Sequence, residues 1–364
     1  MRKVKLTSVC RPKQWKTIPT TELRDVGYPV YGANGVIGYY DSYNHEQETV
    51  VITCRGATCG TVNLTHPRSY VTGNAMCLDN VDDSVDIKYL FYSMQAYDFT
   101  KVISGTAQPQ ITREGLEKVE FALHTLDMQR KIVCILDKTD TLIGKRRLQL
   151  EKLDELVKSR FIELFGDLKI NSKRWKMLGF KECAEIDTNM IHNFEGYENY
   201  PHVGIDSIEK GTGRLFGYRT IAEDGVTSGK YLFTEKHIIY SKIRPNLNKV
   251  ALPKFAGLCS ADAYPILVKS DICTKEYLGY TMRSDFFLDY ILAFSNRTNL
   301  PKVNKKQVEG FSLPVPPLIL QQQFTDFIRQ TDKSKYYNFT SYKYCVLAAK
   351  LIRQEWMLCQ TLSF

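Results

Sequence analysis

The chain has 364 residues, 43% hydrophobic and 24% charged, with a formal net charge of +9. There is apolar material for more than one core, but no apolar run approaches the roughly 18–20 residues that span a bilayer. The basic start Met1-Arg2-Lys3-Val4-Lys5 lacks the apolar stretch of a signal peptide, so a cytoplasmic protein without a membrane segment is expected, and the positive balance suits a polyanionic partner.

In chain order, Tyr28 to Gly38 is rich in turn formers, and Asn34-Gly35 between apolar stretches predicts a hairpin. From Val50, a β-branched run, a turn at Arg55-Gly56 and a second short run predict strand, turn and strand. A helix follows around Lys88 to Tyr97. From Leu126 to Phe165 there is no Pro and one Gly, Gly144. Leu136, Ile143, Leu150, Val157 and Leu164 recur every seven residues, with Ile132 and Leu153 on the neighbouring seam. That stripe predicts a coiled-coil-like helix about 60 Å long, ending at Gly166-Asp167. β-rich character then returns at Tyr231-Leu232-Phe233, His237 to Tyr240 and Ala261 to Val268. A single helix is predicted around Tyr277 to Phe294 and a stiff break at Leu313-Pro314-Val315-Pro316-Pro317. Leu318 to Trp356, free of Gly and Pro, reads as a second long helix.

The two halves repeat. Thr106-Ala107-Gln108-Pro109-Gln110-Ile111 matches Thr298-Asn299-Leu300-Pro301-Lys302-Val303 at an offset of 192 residues. In the same gapless register Glu117 meets Glu309, Leu126 meets Leu318, Gln129 meets Gln321, and Thr139-Asp140 meets Thr331-Asp332. The expected fold is therefore α+β: two β-rich domains, residues 1–125 and 167–317, separated by two long antiparallel coiled-coil helices, residues 126–166 and 318–364, as a pseudo-two-fold internal repeat. Like units in such a repeat can dock on DNA as a dimer does.

Catalytic signatures are missing. The chain has no N/D-P-P-Y/F/W tetrapeptide of an adenine methyltransferase. Gly211-x-Gly213-x-x-x-Gly217 is one residue too long for a dinucleotide fingerprint, and Gly225 to Tyr231 is one too short for a P-loop. Asp79, Asp82, Asp83, Asp86 and Lys88 form a loose acidic run that reads as a solvated loop rather than a nuclease centre. The ten cysteines form no C-x-x-C pair and the six histidines show no metal-ligand spacing, so no metal is expected.

At this point the chain resembles the specificity subunit of type I restriction-modification systems. The resemblance is carried by Tyr28 to Tyr40, Ile52-Thr-Cys-Arg-Gly-Ala-Thr-Cys-Gly60, Gly105 to Ile111, Pro314 to Pro317 and Gln321-Gln322-Gln323-Phe324, and by the order of domains. It implies two target recognition domains, each reading half of a split site on double-stranded DNA. It also implies spacer helices that set the gap and bind two modification subunits, with restriction and motor subunits joining for cleavage. Catalytic residues and cofactors are implied to be absent here; S-adenosylmethionine, ATP and magnesium belong to the partner subunits. Two features depart from the pattern: Arg297-Thr298-Asn299-Leu300-Pro301 replaces the Gly-Thr-Ala-Gln-Pro form of the first half, and the distal helix is less regular in its heptads.

Bases are read by Arg or Lys on guanine and Asn or Gln on adenine, phosphates by Lys, Arg, hydroxyls and backbone N–H groups, usually from loops. In the first half Arg55, Gly56 and Thr58 lead, a structural turn being the alternative. Gln108, Gln110 and Asn74 follow, with Asn34 a further candidate that reads more readily as the hairpin former. In the second half the basic, amide-rich loop with Lys242, Arg244, Asn246, Asn248 and Lys249 leads, joined by Arg297 and Asn299 through analogy with Gln108. The partner-binding surface is expected on the helix positions Ile132, Leu136, Ile143, Leu150, Leu153, Val157, Leu164, Phe324 and Ile328. A stand-alone nuclease and a coiled-coil interaction protein without DNA contact are the alternative readings.

Overall fold

The computed structural model describes residues 2–33, 35–105, 108–294 and 301–357. Two compact units form, one from the residues through Gln149 together with those from Asn338 onward, the other from Leu150–Tyr337. Each unit thus owns half of both long helices.

In the first unit the strand Val50–Thr53 is fully buried. It lies between Val62–Leu64 and Ala75–Asp79, and Arg11–Gln14 completes the four-stranded sheet. The second unit builds the same order from Val250–Ala251, His237–Ser241, Ala263–Val268 and Ala184–Ile186. Each unit also has a two-stranded sheet: Arg2–Lys5 pairs with Glu120–Leu123, and Lys176–Gly179 with Ser312–Val315. The expected break at Leu313 to Pro317 is in part this last strand. Pro314 is tolerated there because a two-stranded ribbon has only edges. The third sheets differ, with three strands in the first unit and five in the second. The expected hairpin is Tyr28–Gly32 against Gly35–Tyr40, with a register shift between Val30 and Tyr31; Asn34 lies outside the described residues.

One helix in each unit packs on the main sheet, Ile87–Ala96 and Lys275–Arg283. Their first N–H groups are satisfied by the side chains of Asp86 and Thr274. The single helix expected from Tyr277 to Phe294 is broken, because Ser284 is extended and a second helix, Asp285–Leu292, begins after it.

The two long helices are Leu126–Phe165 and Leu318–Met357, 40 residues each. The central one stops where Gly166, at φ 77°, donates its N–H to the Ile162 carbonyl. Within each unit the helices run antiparallel. In the first, Arg353 grips Asp140 at 2.9 Å and Arg146 reaches the Asn338 side chain at 2.9 Å. In the second, Lys335 meets Asp154 at 2.6 Å and Phe161 packs edge-on to Phe324 at 5.3 Å.

This packing corrects the reading of the apolar seam as a partner surface. Ile132 and Leu136 are buried in the core of the first unit, and Val157, Phe324 and Ile328 in that of the second. Leu164 packs against that second core, and Ile143, Leu150 and Leu153 are half-buried. A heptad seam turns inward because each large apolar side chain gains about 2 kcal/mol on leaving water, and the nearest apolar partner belongs to the same chain.

One buried glutamine ties each long helix to a unit. The Gln129 carboxamide accepts the Asp86 N–H at 2.8 Å and donates to the carbonyls of Ser84 (2.8 Å) and His124 (2.9 Å). Gln321 repeats this with the Thr274 N–H (2.7 Å) and the carbonyls of Ile272 (3.2 Å) and Pro316 (2.8 Å). Tyr89 and Tyr277 likewise donate to the carbonyls of Ala122 and Pro314, at 2.6 and 2.5 Å.

Candidate nucleic-acid interface

The loops that leave the central strands of the two units are copies. Residues 54–61 and 242–249 have equal length, and each residue corresponds to one 188 positions on. The Cys54 N–H donates to Asn74 O and its carbonyl accepts from Ile111; Lys242 does the same with Asp262 and Val303. The Gly56 N–H donates to Pro109 O at 3.2 Å, and the Arg244 N–H to Pro301 O at 2.8 Å. Cys59 and Leu247 each donate back to the residue three before, and Thr53 and Ser241 close the loops on Thr61 and Lys249. The left-handed positions coincide as well: Gly56 (φ 89°) with Arg244 (φ 49°), and Gly60 (φ 92°) with Asn248 (φ 46°).

This template gathers the candidates of the first unit. Arg55 and Thr58 are exposed, and Arg55 bridges to Gln110. Gln108 and Asn74 are exposed beside them. No ion pair holds the Arg55 guanidinium among the described residues. Sequence reasoning missed Lys13, Gln14 and Arg113, which line a groove together with Gln110. Gln14 donates to Gly73 O at 2.9 Å and Lys13 lies 3.6 Å over the Trp15 ring. The basic strand Arg11-Pro12-Lys13-Gln14 was the available signal.

In the second unit the structure divides the candidates. Arg244 and Asn246 are exposed and point away from the core. Asn248 donates its amide to the Arg283 carbonyl at 2.7 Å, and Lys249 its ammonium to the Ile205 carbonyl at 2.7 Å. Both are therefore engaged in holding the loop. Lys242 is half-buried, 5.0 Å over the Tyr264 ring. Burial, and then the neighbouring Lys302, pull its ammonium below the usual lysine range against the opposing charge of Asp262. Arg297 and Asn299 lie outside the described residues.

The acidic run is structural. Asp79 accepts from the Trp15 indole at 3.0 Å, Asp82 from Ser84, and Asp86 caps a helix. Lys88 pairs with Asp137 at 3.1 Å. His45, Cys77 and Asp79 lie close enough to share a metal. However, both ring nitrogens of His45 already face Asn44 (2.6 Å) and Asp79 (3.0 Å). Burial, and then Asp79, push the Cys77 thiol far above its usual range, so the cluster reads as a core hydrogen-bond network. Lys230, in the phosphate-loop-like segment, donates to Ser228 at 2.9 and 2.7 Å.

Residues 1–152 and 172–337 match the model of the type I restriction modification DNA specificity domain. The chain belongs to the type I restriction-modification DNA specificity family. It is 40% identical to the type I restriction enzyme EcoDI specificity subunit of Escherichia coli, over 88% of this chain and 81% of that one. The MjaVIII specificity subunit of Methanocaldococcus jannaschii is 22% identical, covering 79% and 72%. The fold matches the S subunit of a type I restriction-modification system from M. genitalium, with a TM-score of 0.67 and 14% identity over 99% of this chain and 96% of the other. As a member of this family the chain is the DNA-recognition component, not the catalytic one. Among the described residues no helix is long and apolar enough to cross a membrane.

Proposed function

We propose that each β-rich unit reads one half of a bipartite site on double-stranded DNA, and that the paired helices set the gap and carry two modification subunits. The observation that carries this reading is the repeated loop template. Both family-matched segments present an exposed arginine from an eight-residue loop pinned by the same backbone bonds. Two equivalent loops on one chain are what a split site requires. S-adenosylmethionine, ATP and magnesium then serve the modification and restriction subunits, and the complex works in the cytoplasm. With the seam buried, the surface left for these partners is outward. In the first unit it includes Met128, Ile135 and Leu142 on the central helix and Tyr344, Leu347 and Leu351 on the distal one, all exposed.

The test is binding of the chain to DNA, alone and with the modification subunit of its own system. Alone, it binds weakly, and affinity falls steeply as salt rises. Together they bind a bipartite site tightly and methylate it. Failure of any multi-subunit complex to form on co-expression would overturn the reading.

A further inference from the structure

The two loops share one backbone but no residue identity, and we propose that Arg244 reads a guanine in the half-site of the second unit, where Gly56 offers no side chain in the first. This rests on the half-site reading above and deepens it.

Both loops hold their third residue in the left-handed region, with φ 89° at Gly56 and 49° at Arg244. Glycine takes that conformation freely, whereas a side chain with a β-carbon is disfavoured there. The loop's own requirement at this place is a backbone N–H for Pro301 and a carbonyl for Leu247, and the Gly56 loop meets the same requirement without a side chain. At the other left-handed position, Asn248 has a structural reason, since its amide caps the Arg283 carbonyl. Arg244 has none. Its side chain is exposed, and its guanidinium makes no ion pair or hydrogen bond among the described residues. An arginine kept in a glycine's conformation without an internal partner points to an external one.

Chemistry narrows the partner. A planar guanidinium donates two parallel hydrogen bonds, which matches O6 and N7 of guanine in the major groove. Backbone bonds on both sides of Arg244 fix its Cα, so the side chain leaves the loop from a set point and its fork is free to reach a partner. Asn246, exposed two residues on, and Lys242 behind the loop keep the surroundings polar and positive.

The experiment uses the assembled complex of this chain with the modification subunit of its own system, and maps every methylated site in the host genome. Wild type gives a bipartite motif. Arg244→Gly relaxes one guanine of the second half by about tenfold or more and leaves the first half unchanged. It melts no lower than wild type, because glycine suits the conformation. Arg244→Lys relaxes the same position, since an ammonium cannot make the paired contact. An unchanged second half in Arg244→Gly overturns the inference. So does a lysine variant that keeps full specificity while the glycine variant is only uniformly weaker, the signature of a phosphate contact. A wild-type complex that writes no bipartite motif overturns the half-site reading itself, and with it this one.

Discussion

Gln129 shows how much one buried polar residue decides. It is fully buried, and its carboxamide satisfies one backbone N–H and two carbonyls that no regular element serves. Removing it strands three part-buried backbone groups at about 1 kcal/mol each. Gln129→Ala should therefore lower the stability of the first unit by about 3 kcal/mol, read as a shift in its urea midpoint at constant slope. Gln321→Ala should act similarly on the second unit. A loss below about 1 kcal/mol in both would mean that water replaces the amide. Sequence comparison within the chain had already paired these two residues, but not their role. A Gln near the start of a helix reads as an ordinary surface residue until the cavity that receives it is known.

Among elements, the joints between the sheet-packed helices and the long helices differ in chemistry at equivalent places, the first resting on carboxylates and the second on aromatic rings. Tyr92 in the first unit donates to Asp137 at 2.7 Å, and Arg353 lies 5.4 Å over its ring while gripping Asp140. Tyr280, its counterpart in the second, also has an arginine over its ring, Arg283 at 5.1 Å, but packs against Phe324 at 5.2 Å and Phe161 at 6.2 Å rather than a carboxylate. Burial, and then hydrogen bonding to Asp137, push the Tyr92 phenol far above its usual range, so it stays a neutral donor. The half-exposed ionic joint contributes little, about 1 kcal/mol, whereas deleting a buried Phe costs about 3–5 kcal/mol. Arg353→Ala should thus shift the melting of its unit slightly and Phe324→Ala strongly. Equal shifts in calorimetry would contradict this ranking. Molar salt should weaken the Arg353–Asp140 and Lys335–Asp154 pairs and leave the aromatic packing around Phe324 intact.

On the scale of the whole molecule, the first unit is assembled from segments far apart in the chain and the second from one continuous stretch. The first needs the residues from Asn338 onward, where Ala349 is buried and Ile352 packs on its core. The second ends at Tyr337. A chain stopped after Tyr337 should therefore lose stability in the first unit and keep the second nearly unchanged. Calorimetry should then show one transition lowered and one preserved. Loss of both together would mean that the units do not fold separately.

The sequence by itself determined the duplication, the two long helices and the absence of catalytic motifs. Those rest on local signals: a heptad stripe, uninterrupted helix formers, and motif spacings that either fit a chemistry or do not. It also singled out Arg55, Gln108 and Gln110 as candidate DNA contacts, though not as neighbours of each other. What only the tertiary structure decided is the second register, 188 residues, that equates the two candidate loops. Arg55 falls on Ile243 and Gly56 on Arg244 in that register, so side-chain identity hides it. The loops are kept alike by backbone hydrogen bonds and left-handed turns, which several residue types can satisfy at some cost. The structure likewise turned the apolar seam inward and engaged Asn248 and Lys249 within the loop, because a side chain's partner depends on segments that fold back from elsewhere in the chain.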